Sequence, residues 1–459
     1  MIVSESTKIF ESIKGGFIMP EKLKIAVIGC GAFASSFVPL FKAHPYVEKV
    51  YVCDLIKERE RKYMEHFDVP SVESFEAALA DDSINAVAII TQRQLHGPMV
   101  IAALKAGKHV YSAVPTAISV EDIFEIESLV RKTRLTYHTG ETGYYRACTV
   151  FCRDAYARGE IGDFVYGEAQ YNHDMRNMYE SFRRSGGKEW TKVAGFPPTY
   201  YPTHSVSMIL GAMPGAYVKK VSAMGWIDKT DADIYGVDGV NLWDNPFSNT
   251  AMLCQLSNGG VARISENRRI CWAAPESYIS QFMGTEGSYE FSVAHHYYSK
   301  WLPYDGDIRA AGKKPHQLRE VTDWLLPKSI TEKMRDPSFD HVSHIADGAG
   351  FTETSPIQPT WRLPAEFEGL RNGHNGCHHF MVDDFCKAAY ENKLSPTNIW
   401  QAARFNLPGI IAFESAKRGG ELLDVPDLGN PPEDWEMLRP DGEYGTNPVM
   451  DEILNTGKK

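Results

Sequence analysis

Leu23-Lys24-Ile25-Ala26-Val27-Ile28-Gly29-Cys30-Gly31-Ala32-Phe33-Ala34 decides the fold of this chain. An apolar run feeds into G-x-G-x-x-A, and a second apolar stretch, Val50-Tyr51-Val52-Cys53, ends in Asp54. Gly29 allows a tight turn from strand to helix, Gly31 lets a phosphate approach the backbone, and Ala34 lets the helix lie close on the sheet. Free N–H groups and the positive dipole end at the start of that helix favour an anion. Asp54 stands twenty residues after Ala34. It can accept hydrogen bonds from ribose hydroxyls and would repel a 2′-phosphate, which predicts binding of NAD and disfavours NADP.

Outward from this stretch, strands are expected at 23–29, 48–53, 86–90, 108–112 and 135–140, with helices between them at 32–43, 57–66, 74–80, 95–106 and 119–133. Strict alternation of this kind predicts a parallel, doubly wound Rossmann sheet. Ligands then gather at the carboxyl ends of its strands. After residue 145 the rhythm changes. A helix at 145–158 precedes strand patterns at 164–173, 218–226, 250–256, 261–265, 278–283 and 288–291. Ser257-Asn258-Gly259-Gly260 and Gly284-Thr285-Glu286-Gly287 punctuate them as hairpin turns. The fold class expected is therefore α/β, with an N-terminal Rossmann sheet followed by an α+β domain built on a large, mostly antiparallel open sheet. The division expected is a 1–22 extension, a 23–145 dinucleotide domain and a 146–459 substrate and oligomerisation domain. Residues 300–372, rich in Pro, Gly and charge, read as an excursion with short helices, and helices return at 376–391 and 397–417.

The 459 residues suffice for two domains, and 43% hydrophobic with 23% charged residues is ordinary for globular chains. A formal net charge of −11 with no basic run argues against nucleic acid as a partner. The sequence has no stretch of ~18 apolar residues to cross a membrane and no basic-then-apolar leader, so the expectation is a cytoplasmic protein. Eight scattered cysteines read as reduced thiols.

The order of motifs resembles the Gfo/Idh/MocA family of NAD(P)-dependent oxidoreductases. The resemblance rests on Gly29 to Ala34, on Thr91-Gln92-Arg93-Gln94-Leu95-His96, and on Ala106-Gly107-Lys108-His109-Val110-Tyr111. It implies cofactor contacts from Gly29, Gly31, Ala32, Phe33, Ala34, Asp54, Thr91, His96, Val114 and Pro115. Two departures stand out. Where the family carries E-K-P with a catalytic lysine, this chain has Ala113-Val114-Pro115. Where it carries D-x-x-x-H, Tyr200 stands four residues before His204. An ordinary alcohol dehydrogenation needs a base for the hydroxyl proton, and the usual one is absent.

A subgroup of the family, the NAD-dependent glycosidases typified by bacterial α-N-acetylgalactosaminidases, is similar at several separated places. These are Glu141 with Tyr145-Arg146, Tyr171-Asn172-His173-Asp174-Met175-Arg176, Tyr200-Tyr201-Pro202-Thr203-His204, and Gly373-His374-Asn375-Gly376. The resemblance implies Tyr171, His173, Tyr201, Glu141 and His204 as catalytic residues and Tyr145, Arg146, Arg176 and His374 as substrate contacts. It further implies a redox-neutral route: transient oxidation of a sugar 3-hydroxyl, elimination of the aglycone, addition of water and re-reduction. Tyr171 and His173, two apart, share one strand face. His374 and His378 stand at i, i+4 as two zinc ligands would, but with no acid paired to them the reading is no metal. The alternatives are a net sugar or polyol dehydrogenase and a non-catalytic sensor of nucleotide or sugar. A sugar or glycoside is the expected partner, and family analogy adds a homodimer or homotetramer.

Overall fold

The computed structural model describes residues 21–271, 276–301, 316–340 and 350–455. Residues 1–20, the greater part of the expected extension, and 302–315 and 341–349 of the expected excursion lie outside the described residues.

Five short strands form the first sheet: β1 (Leu23–Ile28), β2 (Val47–Cys53), β3 (Ala86–Ile89), β4 (His109–Ser112) and β5 (Tyr137–Thr139). Their order is β2-β1-β3-β4-β5 and every pairing is parallel. β3 is buried at all four positions, as expected of a strand covered on both faces. The helices α1 (Val38–Ala43), α2 (Lys57–Phe67), α3 (Phe75–Ala80), α4 (His96–Lys105) and α5 (Val120–Thr133) supply the crossovers. Ser74 and Ser119 cap α3 and α5 by accepting from the Ala77 and Asp122 amides. The helix expected over 32–43 is shorter: a 3-10 turn at Ala34–Ser36 precedes α1, and Pro39 sits in its first turn.

Helix α6 (Ala147–Ala157) leads into β6 (Phe164–Asn172), and α7 (Tyr179–Gly186), α8 (Trp190–Ala194) and α9 (Thr203–Gly211) follow. The second sheet adds β7 (Val218–Ile227), β8 (Phe247–Leu256), β9 (Val261–Asn267), β10 (Ser277–Gly284), β11 (Gly287–Ser292), β12 (His295–Trp301) and β13 (His316–Glu320). With β14 (Leu423–Asp424) it has nine strands in the order β13-β12-β11-β10-β6-β9-β8-β7-β14. β8 alternates buried and exposed residues along its second half, the mark of a sheet with one face on the core. All pairs are antiparallel but one: β6 and β9 run parallel, with Tyr171 beside Glu266 and Asn172 beside Asn267. Both expected hairpins are present, between β8 and β9 and between β10 and β11.

β12 and β13 were not expected as strands. Their pattern mixes His, Tyr and Lys, and only His296 and Tyr298 point firmly inward. The β11–β12 turn carries Val293 at φ 56, a conformation for which a β-branched residue gives no sequence signal.

Short helices α10 (Thr322–Leu325) and α11 (Lys328–Met334) lie in the 300–372 segment. Then α12 (Cys377–Glu391) and α13 (Ile399–Lys417) run between the two sheets, and α14 (Pro448–Asn455) closes the described chain. α13 packs on α5 and β5 of the first sheet and on β7 and α9 of the second. The Thr139 amide donates to the Thr397 carbonyl, and the Ala117 amide to Asn406 Oδ1. One core cluster runs from Val27 and Phe37 through Phe380 and Phe405 to Ile264 and Phe282. None of the described helices is long and apolar enough to cross a membrane. All eight cysteines are free, and only Cys271 is exposed.

Gly409 of α13 fixes how closely the turn at Pro198–Tyr200 can approach. A Cβ at Gly409 would lie 2.0 Å from the Thr199 carbonyl oxygen. Gly409→Ala is therefore expected to lower stability by about 1–3 kcal/mol through overpacking, read as a fall in Tm. An unchanged Tm would show that this contact has slack.

Candidate active site

The carboxyl ends of the first sheet face the open end of the parallel pair in the second. At the first strand end, Gly29 takes φ +102, and a Cβ there would meet the Ile90 carbonyl at 2.2 Å. A Cβ at Gly31 would meet nothing within 4 Å. The loop is thus closed against β3 at Gly29 and open at Gly31, where a pyrophosphate needs room. Asp54 accepts from the Cys30 amide at 2.7 Å and the Ile56 amide at 2.7 Å, one to each oxygen. The second lone pair of each oxygen remains for ribose hydroxyls. These residues fit a dinucleotide.

His96 is braced rather than presented: its Nδ1 lies 2.9 Å from the Pro115 carbonyl and its Nε2 3.2 Å from that of Thr91. Burial lowers its pKa, so the neutral ring donates to one carbonyl at a time. It pins the two loops holding Thr91 and the cis Val114–Pro115 bond. Phe33 packs edge-on against both His374 and His378.

The five expected catalytic residues converge. Glu141, just beyond β5, is fully buried, and its Oε1 accepts from the Gly143 amide at 2.6 Å and meets His204 Nδ1 at 2.8 Å. Burial pushes this carboxyl up, but the imidazole of His204 more than offsets it and leaves the pKa below the ordinary value. Glu141 Oε2 is buried without a hydrogen-bond partner. Gly143 is needed here, since a Cβ would lie 2.6 Å from the His204 carbonyl and 2.2 Å from Ser207 Oγ.

His204, in the first turn of α9, packs edge-on against Tyr171 (4.9 Å between ring centroids) and Tyr201 (5.1 Å). With Nδ1 on Glu141, its Nε2 has no hydrogen-bond partner among the described residues. Tyr171 OH lies 2.8 Å from His173 Nδ1. Burial raises the pKa of both Tyr171 and Tyr201 and lowers that of His173, so at neutral pH the phenols hold their protons and Tyr171 donates to a neutral imidazole.

Two buried residues that sequence reading missed support this group. Glu266 on β9 accepts from Ser205 of α9 and from Arg268 Nη2 at 2.7 Å. Arg268 lies 4.4 Å over the Tyr171 ring and donates to the Tyr171 carbonyl at 3.3 Å. Ending that strand at residue 265 hid Glu266, although it falls on the same face as Ala262 and Ile264. A charge on a core face was the signal available.

Not every expected substrate contact joins the group. Tyr145 turns into the core, its hydroxyl donating to Asp384 Oδ2 at 2.7 Å within a cluster clasped by Arg362. Arg176 is exposed and pairs with Asp174. Arg146 and His374 stay closer: Arg146 donates to Asn375 Oδ1 at 2.7 Å, and His374 Nδ1 meets His378 Nε2 at 2.7 Å. No group of three or more His, Cys, Asp or Glu suited to a metal ion occurs among the described residues.

A five-stranded parallel sheet with this loop is an NAD-binding Rossmann fold, here joined to a mixed sheet that carries Tyr and His. Residues 23–141 match the GFO_IDH_MocA family model, described as an oxidoreductase family with an NAD-binding Rossmann fold. The resemblance read from the motifs holds beyond that segment. The chain is 26% identical over 420 residues to a "Glycosyl hydrolase family 109 protein" of Solibacter usitatus, covering 88% of each. It is 21% identical to an "Alpha-N-acetylgalactosaminidase" of Tannerella forsythia, covering 83% of this chain and 80% of that one. In fold it is similar to levoglucosan dehydrogenase in complex with NADH and levoglucosan (TM-score 0.63, 18% identity, 88% of this chain and 100% of the other). It is likewise similar in fold to an oxidoreductase domain protein from Kribbella flavida (TM-score 0.61, 17% identity, 88% and 100%).

Two outcomes follow from this geometry. Gly31→Val fills the open side of the loop, so NAD binding measured by calorimetry is expected to be lost while Tm is kept; retained binding would remove Gly31 from the cradle. Burial also pushes Glu266 from its ordinary 4.5 up to about 7. Folding takes up a proton there, so this group's contribution is complete below 4.5 and is lost as pH rises through about 7. Glu266→Gln is expected to flatten the decline in urea stability between pH 5 and pH 7.5, and an unaltered slope would mean that Glu266 does not titrate in this range.

Proposed function

We propose that the protein is a sugar-acting enzyme that cleaves glycosides with no net redox change. In this reading residues 23–145 hold the cofactor and residues 146–459 hold the sugar. The observation that carries it is the pairing of two proton-handling units, Glu141–His204 and Tyr171–His173, around Tyr201 in a site whose position 114 is Val. NAD, when bound in the Gly29–Ala34 loop with its ribose on Asp54, supplies a hydride acceptor for a sugar carbinol carbon and returns that hydride later.

The chain's own residues divide the proton work. Glu141 orients His204 by Nδ1, which leaves Nε2 to take the hydroxyl proton. Tyr171 takes the acidified hydrogen beside the carbonyl as its own proton passes, in the same step, to the neutral His173 across the 2.8 Å hydrogen bond, so no free phenolate forms. Tyr201, kept protonated by burial, gives a proton to the departing aglycone oxygen. The similarity to glycosidases over most of both chains supports the same reading. The outer face of the second sheet leaves Met224 (70% exposed), Leu253 (52%) and Trp226 (48%) open to solvent, and we place homo-oligomer assembly there.

The test is a panel of aryl α- and β-glycosides with aglycone release and net NADH recorded together. Release without net NADH is the expected result. NADH in proportion to substrate without release would make the protein a dehydrogenase, and binding with neither would leave a sensor. Tyr201→Phe and His173→Ala are expected to lower release by roughly 100-fold or more, as for loss of a general acid or base, with NAD still bound.

A further inference from the structure

Arg93 follows β3, in the motif beside the cofactor strands; its carbonyl accepts from the His96 amide, but its guanidinium forms no hydrogen bond or ion pair with any described residue. Its guanidinium is surrounded by aromatic faces: Phe196 at 4.2 Å, Phe182 at 5.6 Å and Tyr201 at 5.7 Å from ring centroid to Cζ. Burial, with the charge of Arg268, lowers its pKa to about 10. A guanidinium carries five donors and stays charged, and this half-buried one, set between rings with no counter-ion, leaves those donors for a ligand or water.

The remaining charges of the site do not supply it. Glu141 is committed to His204, and Glu266 to Arg268. Arg146 has only the neutral amide of Asn375. The remaining carboxylate, Glu276, is exposed and lies 3.7 Å from His173 Nε2, so none of the three is paired with Arg93. Arg93 sits against Tyr201 and against Phe182 of α7, on the substrate side, whereas the open space at Gly31 belongs to the first strand's loop. A single guanidinium walled by rings suits a planar monoanion held by two parallel hydrogen bonds.

Resting on the glycoside reading above, we propose that Arg93 receives a carboxylate carried by the sugar, so that the preferred substrate is a uronic-acid glycoside rather than its neutral counterpart. The rings narrow the approach to the guanidinium, so one charge-assisted contact carries the selectivity.

Calorimetry on the NAD-loaded protein tests this without turnover. The probes are methyl glycosides of glucuronate, galacturonate, mannuronate and iduronate, each against its neutral parent sugar. The expected result is that at least one uronate binds roughly 10- to 100-fold more tightly than its parent, the size of a charge-assisted hydrogen bond. That margin is expected to vanish in Arg93→Gln and to shrink in Arg93→Lys, which keeps charge but loses the planar fork. The inference is overturned if no uronate outbinds its parent, if the margin survives in Arg93→Gln, or if that variant weakens NAD as much as the uronate. The wild-type comparison stands even if the variant fails to fold. Aryl uronides separate the two readings. Arg93-dependent binding without aglycone release would sink the glycosidase and keep the carboxylate site. Release from neutral glycosides alone would do the reverse.

Discussion

The buried carboxylate of Glu141 against the imidazole of His204 is the interaction on which the site depends. It joins the loop after the last parallel strand to the first turn of α9. Burying a carboxylate is costly, and here that cost is met by one imidazole and one backbone amide. Removing His204 would strand a charge. Moving α9 by 1 Å would break a 2.8 Å contact. The rest of the site inherits its position from this pair: His204 sets the rings of Tyr171 and Tyr201, and Ser205, next along the helix, reaches Glu266 and through it Arg268.

Backbone geometry makes the pair possible. Gly143 lets α9 press onto the Glu141 loop, and Gly409 lets the turn before Tyr201 lie against α13. The parallel pairing of β6 with β9 brings two strand ends to one edge of the sheet, so Tyr171 and Glu266 emerge side by side. In an antiparallel pair these carboxyl ends would lie at opposite edges.

Much of this could be read from the residues alone, for physical reasons. The Rossmann strands are continuous apolar runs, and the turn after β1 requires glycine, so both leave a plain signature. Tyr171 and His173 show their common face by their spacing. What could not be read depends on which partner a side chain takes in the fold, near or far in sequence. Tyr145 looks like a site residue until Asp384, 239 positions later, takes its hydroxyl. Arg176 has the right neighbours in sequence but finds Asp174 first. β12 was hidden because its inward positions hold a histidine and a tyrosine that find polar partners inside, His296 Nδ1 at Tyr289 and the Tyr298 hydroxyl at Glu160. Aromatic residues with polar tips blur the apolar alternation that marks a strand.

Helix α13 touches both sheets, and a single apolar cluster spans them. Swinging the two halves apart about a hinge would bring Phe380, Phe405 and their neighbours into water. Rigid-body opening, the common way for a two-lobed protein to admit a ligand, is therefore closed to this molecule. Exchange at the cleft must proceed through side chains and loops at its rim.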